Sequence, residues 1–80
     1  MLIRMTPTQS RAACALLDMT QSELARLAGL GLSTVVDFEK NRRLVSKDAV
    51  EAVRRAFEEL GIEFLRDLNG EGVRRRSNQT

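Results

Sequence analysis

The sequence predicts a mainly α-helical domain, four or five short helices closed by a short C-terminal β-strand or hairpin. Three observations carry that expectation. Hydroxyl residues at Thr6, Thr20 and Ser46 each stand just ahead of apolar residues at helical spacing, the pattern of a helix start. The joint Gly29-Leu30-Gly31 is too short for anything but a tight turn between two helices. After Gly61 the spacing changes to a brief alternation, Ile62-Glu63-Phe64-Leu65, followed by Asn69-Gly70, a hairpin-type turn dipeptide. With 80 residues the chain holds one domain at most.

The first helix is expected after Thr6, with Pro7 at its first position and Gln9 closing a capping box. Ala13, Leu16 and Leu17 fall on one side of it. The second follows Thr20-Gln21-Ser22-Glu23, a second capping box, with Leu24, Leu27 and Ala28 as its buried stripe and Gly29 as its stop. The third runs from about Leu32 to Lys40, with Val35 and Phe38 inward and Leu30 plugging the joint. Two helices of about two turns on a glycine joint form a helix-turn-helix unit. Asn41 to Val45 is a loop. Ser46 caps a fourth helix whose face is Val50, Val53, Phe57 and Leu60, with Asp48 suited to its positive end. Beyond Gly61 three readings stand: a hairpin, a strand that pairs with a second subunit, or a fifth helix through Leu68. The expected division is an N-terminal extension 1–5, a helix-turn-helix domain 6–61, a dimerisation segment 62–76 and a disordered tail 77–80.

Composition narrows the function classes. There is one cysteine, Cys14, and no histidine. No internal disulfide and no metal cluster can form from these, and the commonest general base is missing. No catalytic motif and no Gly-rich phosphate loop is present, so neither an enzyme nor a cofactor is expected. No apolar run approaches a membrane span, and a lone cysteine fits a reducing, cytoplasmic compartment. The net charge is only +2, but Lys40, Arg42 and Arg43 cluster, as do Arg74, Arg75 and Arg76. Such clusters can neutralise phosphates and gain from counterion release.

The segment Thr20 to Arg43 resembles the XRE family, the lambda-repressor-like helix-turn-helix proteins. Its order is a Thr cap, Gln21, Glu23, Leu24-Ala25, a turn glycine, Ser33-Thr34, β-branched Val35 and the closing Glu39. The similarity extends from Thr6 to about Leu60. It implies double-stranded DNA as partner, with cytoplasmic, nucleoid-associated action. Leu32, Ser33, Val36 and Asp37 are then the residues facing bases. Gln21, Thr34, Lys40, Asn41, Arg42 and Arg43 are those touching the backbone, with Gln21 also bracing the recognition helix. Helical geometry agrees in part, since Val35 and Phe38 turned inward leave Ser33, Val36, Asp37 and Lys40 outward. Apolar Leu32 and Val36 suit thymine methyls, and Asp37 a cytosine amino group.

Two departures bear on this. Gly31 stands where the family often has Ser or Thr, which removes a side-chain cap. The recognition face also lacks the Arg, Gln or Asn that make bidentate base contacts, so specificity is expected to lean on methyl contacts, DNA shape and the arginines. In the family the closing Glu pairs with an Arg of the first helix. Cys14 holds that position here, and Arg11, one turn earlier, is the expected substitute. The end of the chain resembles small bacterial XRE regulators with Gly61-Ile62-Glu63-Phe64-Leu65 and Gly72-Val73-Arg74. That implies a strand or hairpin after the helices. An exposed edge strand is a ready pairing surface, so a homodimer through Ile62, Phe64, Leu65 and Val73 is expected. The functional expectation is a transcriptional regulator, most simply a repressor at a near-palindromic operator. An antitoxin that also represses its own operon, or a protein-binding adaptor, is the alternative.

Overall fold

The computed structural model describes residues 5–41 and 45–76. Residues 1–4 of the expected extension 1–5, the expected tail 77–80, and the candidates Arg42 and Arg43 lie outside the described residues. Helix α1 spans Pro7–Leu17, α2 Gln21–Ala28, α3 Leu32–Glu39 and α4 Lys47–Glu59, followed by strands β1 Ile62–Asp67 and β2 Gly70–Arg75. Among the described residues there is no fifth helix, and the segment after Gly61 forms an antiparallel hairpin within the chain.

The starts follow the local chemistry. The Thr6 hydroxyl accepts the Gln9 N–H at 3.1 Å, and Gln9 Oε1 accepts the Thr6 N–H at 3.0 Å. Thr20 and Glu23 repeat the arrangement at 3.1 and 2.9 Å. Ser46 accepts the Ala49 N–H at 3.1 Å, while Gly31 gives α3 no side-chain cap. The stops use left-handed backbone. Gly29 ends α2 at φ 72, and Asp18 ends α1 at φ 53, a conformation costly for most side chains but tolerated by Asp.

Leu24, Val35, Val53, Phe57 and Ile62 form the centre of the core, with Met5, Ala13, Cys14, Ala25 and Ala56 around them. Met5 therefore belongs to the core and not to an extension. The expected stripes of α1 and α2 are each rotated in part. Leu16 is 43 % and Leu27 54 % exposed, whereas Ala13 and Leu24 are buried as expected. Gln9, Ser10 and Cys14 join the buried side of α1 and Ala25 that of α2, with Leu17 and Ala28 partly buried against the core. Small residues let these helices approach closely along a narrow i, i+1, i+4 strip, and the leucines at the flank stay outside. Leu60, expected on the inner face of α4, is the cap residue beyond its last turn and is also exposed.

The hairpin pairs Ile62 with Arg75, Phe64 with Val73 and Leu65 with Gly72. Its two-residue tip is Leu68-Asn69, one residue earlier than the Asn69-Gly70 expected, because the Asp67 carboxylate accepts the Asn69 N–H at 2.7 Å and Gly70 already pairs with Asp67. The inner face is sewn to the helices. Ile62 is 2 % exposed, and the Phe64 ring meets Phe57 edge-on with centroids 6.0 Å apart. Gln9, itself buried, donates through Nε2 to the carbonyls of Leu65 at 3.1 Å and Gly72 at 2.9 Å.

Candidate nucleic-acid interface

Helix α3 divides along its length. Val35 is 1 % and Glu39 2 % exposed, and Phe38 packs against the core. The opposite row is Leu32, Ser33, Val36, Asp37 and Lys40, the i, i+1, i+4, i+5, i+8 sites of one helical side. Leu32, Ser33 and Lys40 are exposed, while Val36 and Asp37 are half-buried. The four expected base-facing residues thus share one side of one helix. Thr34 is half-buried at the edge of that row, and Asn41 is exposed just past its end at φ 56.

What holds α3 in place is a buried carboxylate. Glu39 Oε1 accepts from Gln21 Nε2 at 2.9 Å, so the first residue of α2 is tied to the last of α3. Glu39 Oε2 accepts from the hydroxyl of Ser10 and lies 3.9 Å from the thiol of Cys14. Three helices therefore converge on one side chain, and hydrogen-bond donors take the place of a cation. The expected pair with Arg11 takes another form. Its Nη1 donates to the main-chain carbonyl of Glu39, not to the carboxylate, while Nη2 reaches Thr8 Oγ1 at 3.2 Å. Arg11 starts from the exposed side of α1, so the nearest acceptor is the open end of α3. Burial, the charge of Glu39 and its hydrogen bond push the Cys14 thiol up to about 11, which keeps it protonated and able to donate.

Gln21 is thus bonded to Glu39 at the end of α3. Sequence reasoning missed Ser10, and gave Gln9 only its capping role without its burial and its bonds to the hairpin. Both are polar residues on the α1 stripe that also carries Ala13 and Cys14. A helical count from Cys14 back one turn to Ser10 would have flagged them.

In the hairpin, Phe64 and Val73 are half-buried against the core, and Ile62 is spent inside it. Ile62 therefore offers no surface to a second subunit, because its side chain fills the gap between the hairpin and the helices. Leu65 points the other way, 43 % exposed opposite Gly72. Beside it Glu63 and Arg74 form a cross-strand ion pair, with Arg74 Nε 2.9 Å from Glu63 Oε1.

Two short helices on a tight glycine joint, with a buried brace behind the second and a solvent-facing row in front, define a DNA-binding helix-turn-helix protein. A helix-turn-helix family model matches residues 11–65, from the middle of α1 into the hairpin, and the chain belongs to that XRE-type family. The family is regulatory and not typically enzymatic. Among curated proteins no relative matches the chain. No helix among the described residues is long and apolar enough to cross a membrane.

Proposed function

We propose that the protein is a sequence-specific transcriptional regulator, acting as a homodimer that represses by occupying a near-palindromic operator. Recognition helix α3 enters the major groove. Leu32 and Val36 meet thymine methyls, and Ser33 and Asp37 meet polar base edges. Gln21, Thr34, Lys40 and Asn41 hold the backbone together with Arg42 and Arg43. The observation that carries this reading is the exposed side of α3: Leu32, a large apolar residue at its first position, is 47 % exposed. A groove lined with methyl groups gives that side chain the apolar neighbour that the chain does not provide.

Selection of fragments from a random DNA pool tests the whole reading. Enriched fragments should carry two inverted half-sites one helical turn apart. Enrichment of no motif, with affinity equal for all duplexes, would overturn it. A second reading draws on the hairpin tip, where Leu68 is fully exposed. There the same protein is an antitoxin whose hairpin also takes a protein toxin. Co-expression with the product of the adjacent gene separates the two, since only an antitoxin yields a stable complex that Leu68→Asp abolishes.

A further inference from the structure

Beside the C-terminal end of α3 lies an open cleft lined by Pro7, Thr8, Arg11, Glu39, Lys40 and Asn41. Nothing in the reading above gives it a task beyond Lys40 and Asn41. We propose that this cleft seats a phosphodiester of the DNA backbone, with Arg11 of α1 as its anchoring cation. The proposal rests on the DNA-binding reading and extends it to a helix outside the helix-turn-helix unit.

The chemistry is that of an anion seat. Arg11 is held at two points, by the Glu39 carbonyl and by Thr8 Oγ1. That fixes the plane of the guanidinium, and among the described residues no other acceptor takes its remaining N–H groups. The Glu39 carboxylate is turned away from the cleft into the interior, where Gln21 and Ser10 occupy its oxygens. Among the described residues no carboxylate comes within ion-pair distance of Arg11 or Lys40. Thr8, which accepts from Arg11, keeps its own hydroxyl hydrogen to donate. The first turn of α1 carries no acidic residue of its own. The Glu71 carboxylate from β2 lies at the cap, accepting from Thr6 Oγ1 at 2.9 Å, so the positive end of α1 is already answered and the seat relies on Arg11 and Lys40.

Position supplies the rest. A recognition helix lies in the major groove with its N-terminal residues at the base edges. With Leu32 and Ser33 there, the far end of the eight-residue α3, about 12 Å on, approaches the flanking phosphates. Lys40 closes the outward row, and the cleft opens next to it.

The test is a salt titration of the full-length protein on a random-sequence duplex, read by fluorescence anisotropy. Each phosphate contact adds about 0.9 to the slope of log K against log salt, about a three- to fourfold loss of affinity between 50 and 200 mM. Arg11→Gln should lower the slope by about that amount and weaken all sequences alike. Arg11→Lys should restore the slope. Thr8→Lys, an exposed change that adds a cation to the cleft wall, should raise it. An Arg11→Gln protein that melts earlier and binds less tightly with an unchanged slope makes Arg11 a brace alone and sinks the proposal. So does an unchanged slope in Thr8→Lys. Thermal stabilisation by inorganic phosphate that vanishes in Arg11→Gln, with DNA slopes unaltered, would make the cleft a small-anion site and overturn the assignment to DNA. If the wild-type protein binds no duplex in a salt-dependent way, the failure lies with the DNA-binding reading itself.

Discussion

At the residue scale the fold turns on Glu39. A carboxylate 2 % exposed is tolerated because a hydroxyl and an amide meet its two oxygens, and because a protonated thiol lies close. Removing it strands those donors. Glu39→Ala should therefore destabilise the protein by about 2–4 kcal/mol, measured by urea denaturation. A loss under about 1 kcal/mol would show that the three helices do not depend on this junction. The neighbouring Cys14 should be inert while folded, since its thiol is pushed up to about 11 and it is 8 % exposed. Iodoacetamide at neutral pH should label it far more slowly in the native protein than in urea. Equal rates would mean that the site opens freely. None of this was legible from Cys14 alone. The substitute expected for the family's Arg was Arg11, whereas Ser10 takes over the hydrogen bond to the carboxylate, a pairing visible only once α1 and α3 are side by side.

At the element scale the ends of helices were the most legible features, and their buried stripes the least. Capping is local chemistry: Thr6 with Gln9 and Thr20 with Glu23 are complete within four residues, so tertiary context has little to override. The stripe of α2 depends on how closely α4 can approach, and Ala25 permits an approach that leaves Leu27 outside. The outward row of α3 was legible for the opposite reason, since Val35 and Phe38 fix the inner side and the rest follows by rotation. The second capping box also sets a pH dependence. Hydrogen bonds from the Thr20 backbone and hydroxyl hold the Glu23 carboxyl below the usual carboxylate range, and those from Arg54 do the same for Glu51. A lowered folded value means that the unfolded chain takes up the proton first. The stabilisation is thus complete above the ordinary glutamate range and is lost as pH falls through the lowered values. Melting temperature should fall on acidification from about pH 6 to about pH 3, and Glu23→Gln should flatten part of that fall. A Glu23→Gln curve parallel to wild type would remove the box from the account.

At the scale of the whole molecule the hairpin has two unlike faces, and they do different work. Its inner face completes the core. Ile62, Phe64 and the two carbonyls on Gln9 belong to the same interior as the helices, which the expected boundary at Gly61 did not foresee. Ending the chain after Gly61 removes burial worth several kcal/mol, comparable with the roughly 4–12 kcal/mol that holds a domain of this length. The shortened chain should therefore show little helix by circular dichroism and no cooperative melt. The outer face can be changed without that cost. Leu65 stands exposed opposite a glycine, and Leu68 extends fully from the tip, so neither contributes much to the core. If two copies meet on this face, a charge there should separate them while each remains folded. Leu65→Asp with Leu68→Asp should keep its melting temperature within a few degrees, sediment as a monomer, and lose affinity for a two-half-site duplex while holding a single half-site as before. A variant that still sediments as a dimer would move the subunit contact away from the hairpin, leaving the DNA-facing side of α3 untouched by the result.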